Sequence, residues 1–251
     1  MIDEKIFIGI DLAWTYNNET GICLLNQNGE IKLLESKVYD DQEIVEIIQS
    51  IENIGEKTVT IGIDAPLIFP ACESEYRTAE RKLKRNKING FSISSFQVSK
   101  SYMKRIYGSA RGEVISQKLC QSNTKFIYTN KLFENKYEVI ETFPTAIVAG
   151  IFPDIFPNKY KIKGKIADSI KEYNKLYEKI YELEKSNIIK NFSEYFSKIN
   201  DKISRKAYKN IEDKLDSFLC SLGMFLIFHE KARELYFGDV NTGIIFLPVK
   251  E

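Results

Sequence analysis

The chain has 251 residues with 43% hydrophobic, 12% aromatic and 28% charged residues and a net charge of +1, enough apolar surface for one large folded core and too little charge imbalance for disorder. A single histidine excludes polyhistidine metal sites and makes histidine triads difficult, and four cysteines without a CxxC pair give neither a zinc site nor a disulfide framework, so they read as small buried hydrophobes. No apolar run approaches the roughly 20 residues of a membrane span, and the acidic start Met1-Ile2-Asp3-Glu4 is unlike an export signal, so a cytoplasmic protein is expected.

Lys5 to Leu12 runs through Ile6, Phe7, Ile8 and Ile10 to Asp11, the pattern of a buried strand ending in a polar loop. Gly21 to Leu25 is a second strand, and the Asn28-Gly29 turn leads into a third at Ile31 to Val38, giving an antiparallel meander. Asp40 to Glu43 opens a helix with acidic residues in its first turn, carried on by Ile44, Ile47, Ile48 and Ile51 and ended at Gly55. Val59 to Ile63 is then a strand reached through a helical crossover, hence parallel to the first, and it ends at Asp64.

Leu67 to Thr129 mixes loops with helices expected at Tyr76 to Arg85, Lys100 to Tyr107 and Glu113 to Cys120. Tyr137 to Glu141 is a fifth strand, with Pro144 suited to the first turn of the next helix. Residues 151–210, rich in Lys, Tyr, Ile and Asn, read as a helical, Lys-rich insertion capping the core of a single domain. Ile211 to Glu230 is a strong helix with its stripe at Leu215, Phe218, Leu219, Leu222, Phe225 and Leu226, and a strand-like Ile244-Ile245-Phe246 lies in the closing segment Gly238 to Pro248.

Ligands of parallel α/β sheets gather where strands end, and Asp11, Asp64 and Glu141 all fall at such ends. Asp213 and Asp216, three apart, share one side of the last helix. Five carboxylates on one edge repel one another unless a cation lies between them, and oxygen-only ligation suits Mg²⁺ or Mn²⁺. An aspartate capping an element is the ordinary alternative for each, strongest for Asp213 and Glu141. Arg77 and Arg81, one helical turn apart beyond the Asp64 loop, would face the same way and bind phosphate, with Lys161, Lys163 and Lys165 contributing from the insertion. His229 reads as a histidine at a helix C-terminus, and Trp14 as packing beside the site.

Gly9-Ile10-Asp11-Leu12-Ala13-Trp14, Ile63-Asp64-Ala65-Pro66-Leu67, Arg77 with Glu80-Arg81, Glu141-Thr142-Phe143-Pro144-Thr145-Ala146, Asp213-Lys214-Leu215-Asp216-Ser217 and Gly243-Ile244-Ile245 together resemble the domain-of-unknown-function family 429, regarded as ribonuclease H-like nucleases. The resemblance implies a five-stranded mixed sheet, three antiparallel strands followed by two parallel ones, flanked by helices. It further implies that Asp11, Asp64 and Asp216 are metal ligands, with Asp213 the paired acid of resolvase-like members. Ser217 stands where the family pattern leads one to expect alanine. The implied activity is metal-dependent cleavage of nucleic acid or another phosphate-containing substrate, two cations bridged by Asp11 activating a water for in-line attack. Resolvase-like relatives are often paired, and an exposed face of the insertion could serve a homodimer.

Two rival readings stand beside it. Gly9-Ile10-Asp11-Leu12 with Thr15 and Gly21 is also similar to the first phosphate hairpin of actin-like ATPases and sugar kinases, which generally need two such domains and so a longer chain. The other is a non-catalytic module that binds nucleic acid or a protein partner.

Overall fold

A computed structural model describes residues 4–200 and 202–250; the acidic start Met1 to Asp3 lies outside them. In chain order the strands and helices are β1 (Glu4–Asp11), β2 (Glu19–Asn26), β3 (Ile31–Val38), α1 (Asp41–Gln49), β4 (Lys57–Ile63), α2 (Thr78–Arg85), β5 (Lys87–Ile88), β6 (Phe91–Ser92), α3 (Lys100–Tyr107), α4 (Arg111–Gln121), β7 (Ile127–Tyr128), β8 (Tyr137–Glu141), α5 (Pro144–Ile151), α6 (Ile166–Lys185), α7 (Phe192–Tyr195), α8 (Arg205–Phe228), β9 (Arg233–Asp239) and β10 (Gly243–Val249).

The expected meander forms: β1 pairs antiparallel with β2, and β2 with β3. β4 lies parallel to β1 on its other side, and β8 parallel to β4. The sheet is wider than the expected five strands, eight in all, in the order β3-β2-β1-β4-β8-β10-β9 with β7 also on β8. The far edge of β8 is shared, β7 taking Glu138 and Val139 while β10 takes Glu141. The additional edge strand β9, antiparallel to β10, is only partly buried, so its sequence Arg-Glu-Leu-Tyr-Phe-Gly-Asp carries little apolar alternation to betray it.

Alternation along β1 divides the core. Ile6, Ile8 and Ile10 pack with Ile44 and Ile48 of α1 and Ile115 and Leu119 of α4 on one face. Phe7 packs on the other face with Leu222, Phe225 and their neighbours in α8, in a cluster that takes in α5 and α6. Period two therefore sends Gly9 and Asp11 toward α8 as well. The helix start expected at Asp40 to Glu43 is closed by a capping box, with Asp40 accepting from the Gln42 and Glu43 amides and the Glu43 side chain accepting from the Asp40 N–H. α8 begins six residues earlier than its apolar stripe suggests, because Ser204 caps it by accepting from the Ala207 N–H at 3.1 Å.

The cysteines depart from the buried reading: Cys23 and Cys220 are buried, Cys120 is half-buried and Cys72 is exposed in the loop between β4 and α2. His229 caps α8 as expected, and its Nε2 lies 2.8 Å from the Gln27 carbonyl. No helix among the described residues is long and apolar enough to cross a membrane.

Candidate functional site

Two glycines bring the last helix onto the sheet. A Cβ on Gly9 would lie 1.9 Å from the Ser217 carbonyl oxygen, and one on Gly21 2.2 Å from that of Asp213. Only bare backbone at these two positions lets α8 seat so closely across β1 and β2. That approach carries Asp213 and Asp216 down beside Asp11, whose own strand partner is Gly21. Asp64 follows Ile63, the register partner of Ile10, and its amide donates to the Ile10 carbonyl at 2.8 Å, so Asp11 and Asp64 leave adjacent strands at one level.

One carboxylate oxygen from each of Asp11, Asp64 and Asp216 lies within 4.8 Å of the others, a group able to hold a metal ion. Burial and the neighbouring Asp216 push the Asp11 carboxyl well above the usual range, with Lys161 pulling the other way. Burial likewise raises Asp64, to about 6, against the pull of Lys161. The Lys161 ammonium sits 2.7 Å from Asp216 Oδ2 and 3.9 Å from Asp64 Oδ2. Against the cost of burial, Asp216, Asp64 and Asp11 hold it above the ordinary lysine range.

Its neighbours along the chain, tied to α8, fix this lysine. The Tyr160 hydroxyl donates to Asp216 Oδ1, and the Tyr208 hydroxyl of α8 donates to the Tyr160 carbonyl at 2.6 Å. The Ile162 N–H donates to Glu212 Oε2 at 2.8 Å, so residues on both sides of Lys161 are tied to α8. Lys163 reaches the rim of the cleft holding Asp64 and Lys161, a hollow of about 610 Å³, whereas Lys165 is exposed at the start of α6 and lines neither cleft. Asp213 faces a second cleft of about 840 Å³ beside Asp11, with Arg205, Lys206 and Lys209 on its wall. Lys209 holds Asp213 at 2.6 Å and Glu212 at 2.7 Å.

Glu141 is not part of the acidic cluster. In register it pairs with Ile63 rather than with Asp64, one residue short of the level at which Asp11 and Asp64 emerge. The pleat then turns its side chain to the face opposite Asp11. There both its oxygens accept from Arg77 Nη2, at 2.8 and 2.7 Å, and one also accepts from the Leu67 N–H at 3.1 Å. Burial pushes this carboxyl up to about 7 against the opposing pull of Arg77.

Arg77 does not join Arg81 in a phosphate-binding face. It is the N-cap of α2 and fully buried, held between Glu141 and, at 3.4 Å, Glu80. Gly243 makes room for it, since a Cβ there would meet Arg77 Nη2 at 2.4 Å. Arg77, Glu80, Glu141 and Gly243 thus form a buried polar knot that pins the loop after Asp64 to β8 and β10. Arg81 is exposed on the outer side of α2.

Sequence reasoning did not single out Tyr160, Tyr208, Lys209 or Arg111. The last is buried and binds Asp41 at 2.8 Å, the Tyr39 carbonyl at 2.6 Å and the Ala13 carbonyl at 2.9 Å, which fixes the loop after Asp11. No local pattern marks Tyr160, Tyr208 or Arg111, because their partners are remote in sequence, whereas Lys209 pairs with Glu212 and Asp213 at i,i+3 and i,i+4, a helical spacing that could have been read. Trp14 packs beside the site as expected, edge-on to Tyr107 at 4.9 Å.

Comparison with curated proteins and with solved structures yields no match. A family model described as a protein of unknown function, DUF429, matches residues 9–232, a span that takes in Asp11, Asp64, Asp213 and Asp216 together with the glycines that seat α8, and the chain belongs to that family.

Proposed function

We propose that this protein is a divalent-metal-dependent hydrolase of nucleic acid phosphodiesters built on a ribonuclease H-like core. The observation that carries the reading is the convergence of Asp11, Asp64 and Asp216, from two adjacent parallel strands and the last long helix, on a space small enough to share one ion. The order β3-β2-β1-β4-β8, with β2 alone reversed within it, supports the core assignment.

The donor set fits a hard cation. Three carboxylates, each able to bring an oxygen within 4.8 Å of the others, offer the oxygen-only ligation that Mg²⁺ takes alongside waters and substrate oxygens. The Lys161 ammonium against Asp216 and Asp64 shows that this pocket accommodates positive charge. Asp11, Asp64 and Asp216 would hold Mg²⁺ or Mn²⁺, which when bound supplies Lewis-acid stabilisation of the phosphate and a more acidic water. Tyr160 orients Asp216, and Lys209 orients Asp213 beside Asp11. Lys161, freed from Asp216, and Lys163 offer ammonium groups to non-bridging phosphate oxygens.

The test is a panel of labelled DNA, RNA and hybrid substrates with Mg²⁺ or Mn²⁺, run beside metal-dependent ATP turnover without nucleic acid. Asp11→Asn is expected to abolish cleavage while preserving the thermal melt. Cleavage retained by Asp11→Asn, or ATP turnover in place of strand cleavage, rejects the assignment.

A further inference from the structure

The cleft that holds Asp64 and Lys161 continues past them. Ser95 and Phe96 form part of its wall and also line a neighbouring depression of about 690 Å³, whose other sides include Arg81, Lys84, Arg85 and Tyr102. Phe96 is 56% exposed, and Tyr76, also exposed, lines the same depression, so two open rings share this surface. The Phe96 ring is buttressed from behind, by Tyr102 at 5.4 Å and Trp14 at 6.5 Å, and Tyr102 in turn has the Arg105 guanidinium 5.8 Å from its ring centre. Among the described residues Arg81, Lys84, Arg85 and Arg105 make no ion pair. The surface therefore combines a supported, open aromatic face with unneutralised cations, and it runs directly into the acidic site.

Resting on the hydrolase reading above, we infer that this surface is a stacking platform for single-stranded nucleic acid, which leads one strand toward Asp11, Asp64 and Asp216. An unpaired base lays its face on Phe96, and Arg81, Lys84 and Arg85 take neighbouring phosphates. A base-paired duplex has its faces already stacked and offers only edges, so a flat exposed ring selects the unpaired strand. An acidic peptide would satisfy the cations but has no repeating planar group for the ring.

The experiment measures binding of fluorescein-labelled oligothymidine, oligouridine and a blunt DNA duplex to the full chain in EDTA, where metal-dependent cleavage cannot run. The anisotropy is read together with the fluorescence of Trp14, the chain's only tryptophan. Wild-type protein is expected to bind a single strand more tightly than the duplex, with a change in Trp14 emission. Phe96→Ala should weaken single-strand binding roughly tenfold. The Arg81→Glu, Arg85→Glu double variant should weaken it and flatten the salt dependence by about 0.7 in log–log slope for each phosphate that is no longer neutralised. All three side chains are exposed, and thermal melts of the variants check that the fold is retained.

Equal affinity for duplex and single strand overturns the platform, as do variants that bind like wild type. Selective single-strand binding without cleavage under any metal leaves the platform standing and removes the hydrolase reading. Cleavage that persists with binding insensitive to Phe96 and Arg81 does the reverse.

Discussion

Replacing Lys161 with methionine removes the ammonium seated on the acidic cluster while keeping a chain of similar length. At an effective dielectric of about 20, its contacts of 2.7 Å with Asp216 and 3.9 Å with Asp64 correspond to gross attractions of about 6 and about 4 kcal/mol. Much of this is offset by desolvation, and removing one partner of a buried pair typically costs about 3–5 kcal/mol. With 23% of the Lys161 side chain exposed, the lower figure applies. At pH 8, above the Asp64 value of about 6, the variant in EDTA should therefore melt about 6–12 °C below wild type. At pH 5 the gap should narrow, because Asp11 and Asp64, both with raised values, take up protons and relieve the repulsion. Divalent cation should bind the variant more tightly, since a tethered competitor is gone, and metal at about 100 times its Kd should return about 2.7 kcal/mol. Scanning calorimetry in EDTA and isothermal titration with Mn²⁺ read both effects. A variant that melts with wild type and binds Mn²⁺ no better would refute the view that Lys161 occupies the cation position.

Gly9→Ala forces α8 to retreat by about 1.5 Å from the Ser217 carbonyl, so a loss of stability above about 3 kcal/mol is expected in denaturant titrations, with Mn²⁺ affinity lowered as Asp216 is drawn from its partners. Glu141→Gln leaves Arg77 buried without its main counter-charge and should cost about 3–5 kcal/mol; unchanged stability in the same titration would count against a structural role for the knot. Lys5 is buried, which lowers its value from 10.5 to about 8, so the folded state holds this proton less tightly than the unfolded chain does. Stability should accordingly rise as pH increases from 8 toward 10, part of a total of about 3 kcal/mol, and Lys5→Met should abolish that rise in pH-dependent melts.

Much of the framework is written in short-range pattern. The alternation through Ile6, Ile8 and Ile10, the Asn28-Gly29 turn, the acidic first turn of α1 and the proline at the first position of α5 each depend on neighbours a few residues away, and each forms as read. The same holds for Asp11 and Asp64, because a carboxylate that ends a fully buried strand has few places to go except the rim of the sheet. The Asn89-Gly90 turn of the small β5–β6 hairpin, with both residues at positive φ, carries the same kind of signal and was legible in principle.

What the chain could not announce locally is which polar groups share a space. Arg77 and Glu141 look like any other arginine and glutamate in the sequence, and only the pairing of Ile63 with Glu141 turns that carboxylate to the far face and gives it a buried arginine. Lys161 is one lysine among four in its segment, singled out because Tyr208 and Glu212 hold the backbone on either side of it against α8. Sequence fixes hydrogen-bonding capacity and apolar period, both properties of a residue and its near neighbours. Register and helix approach, decided here by two glycines and one step of strand offset, are properties of distant segments meeting, and they determine which charges face one another.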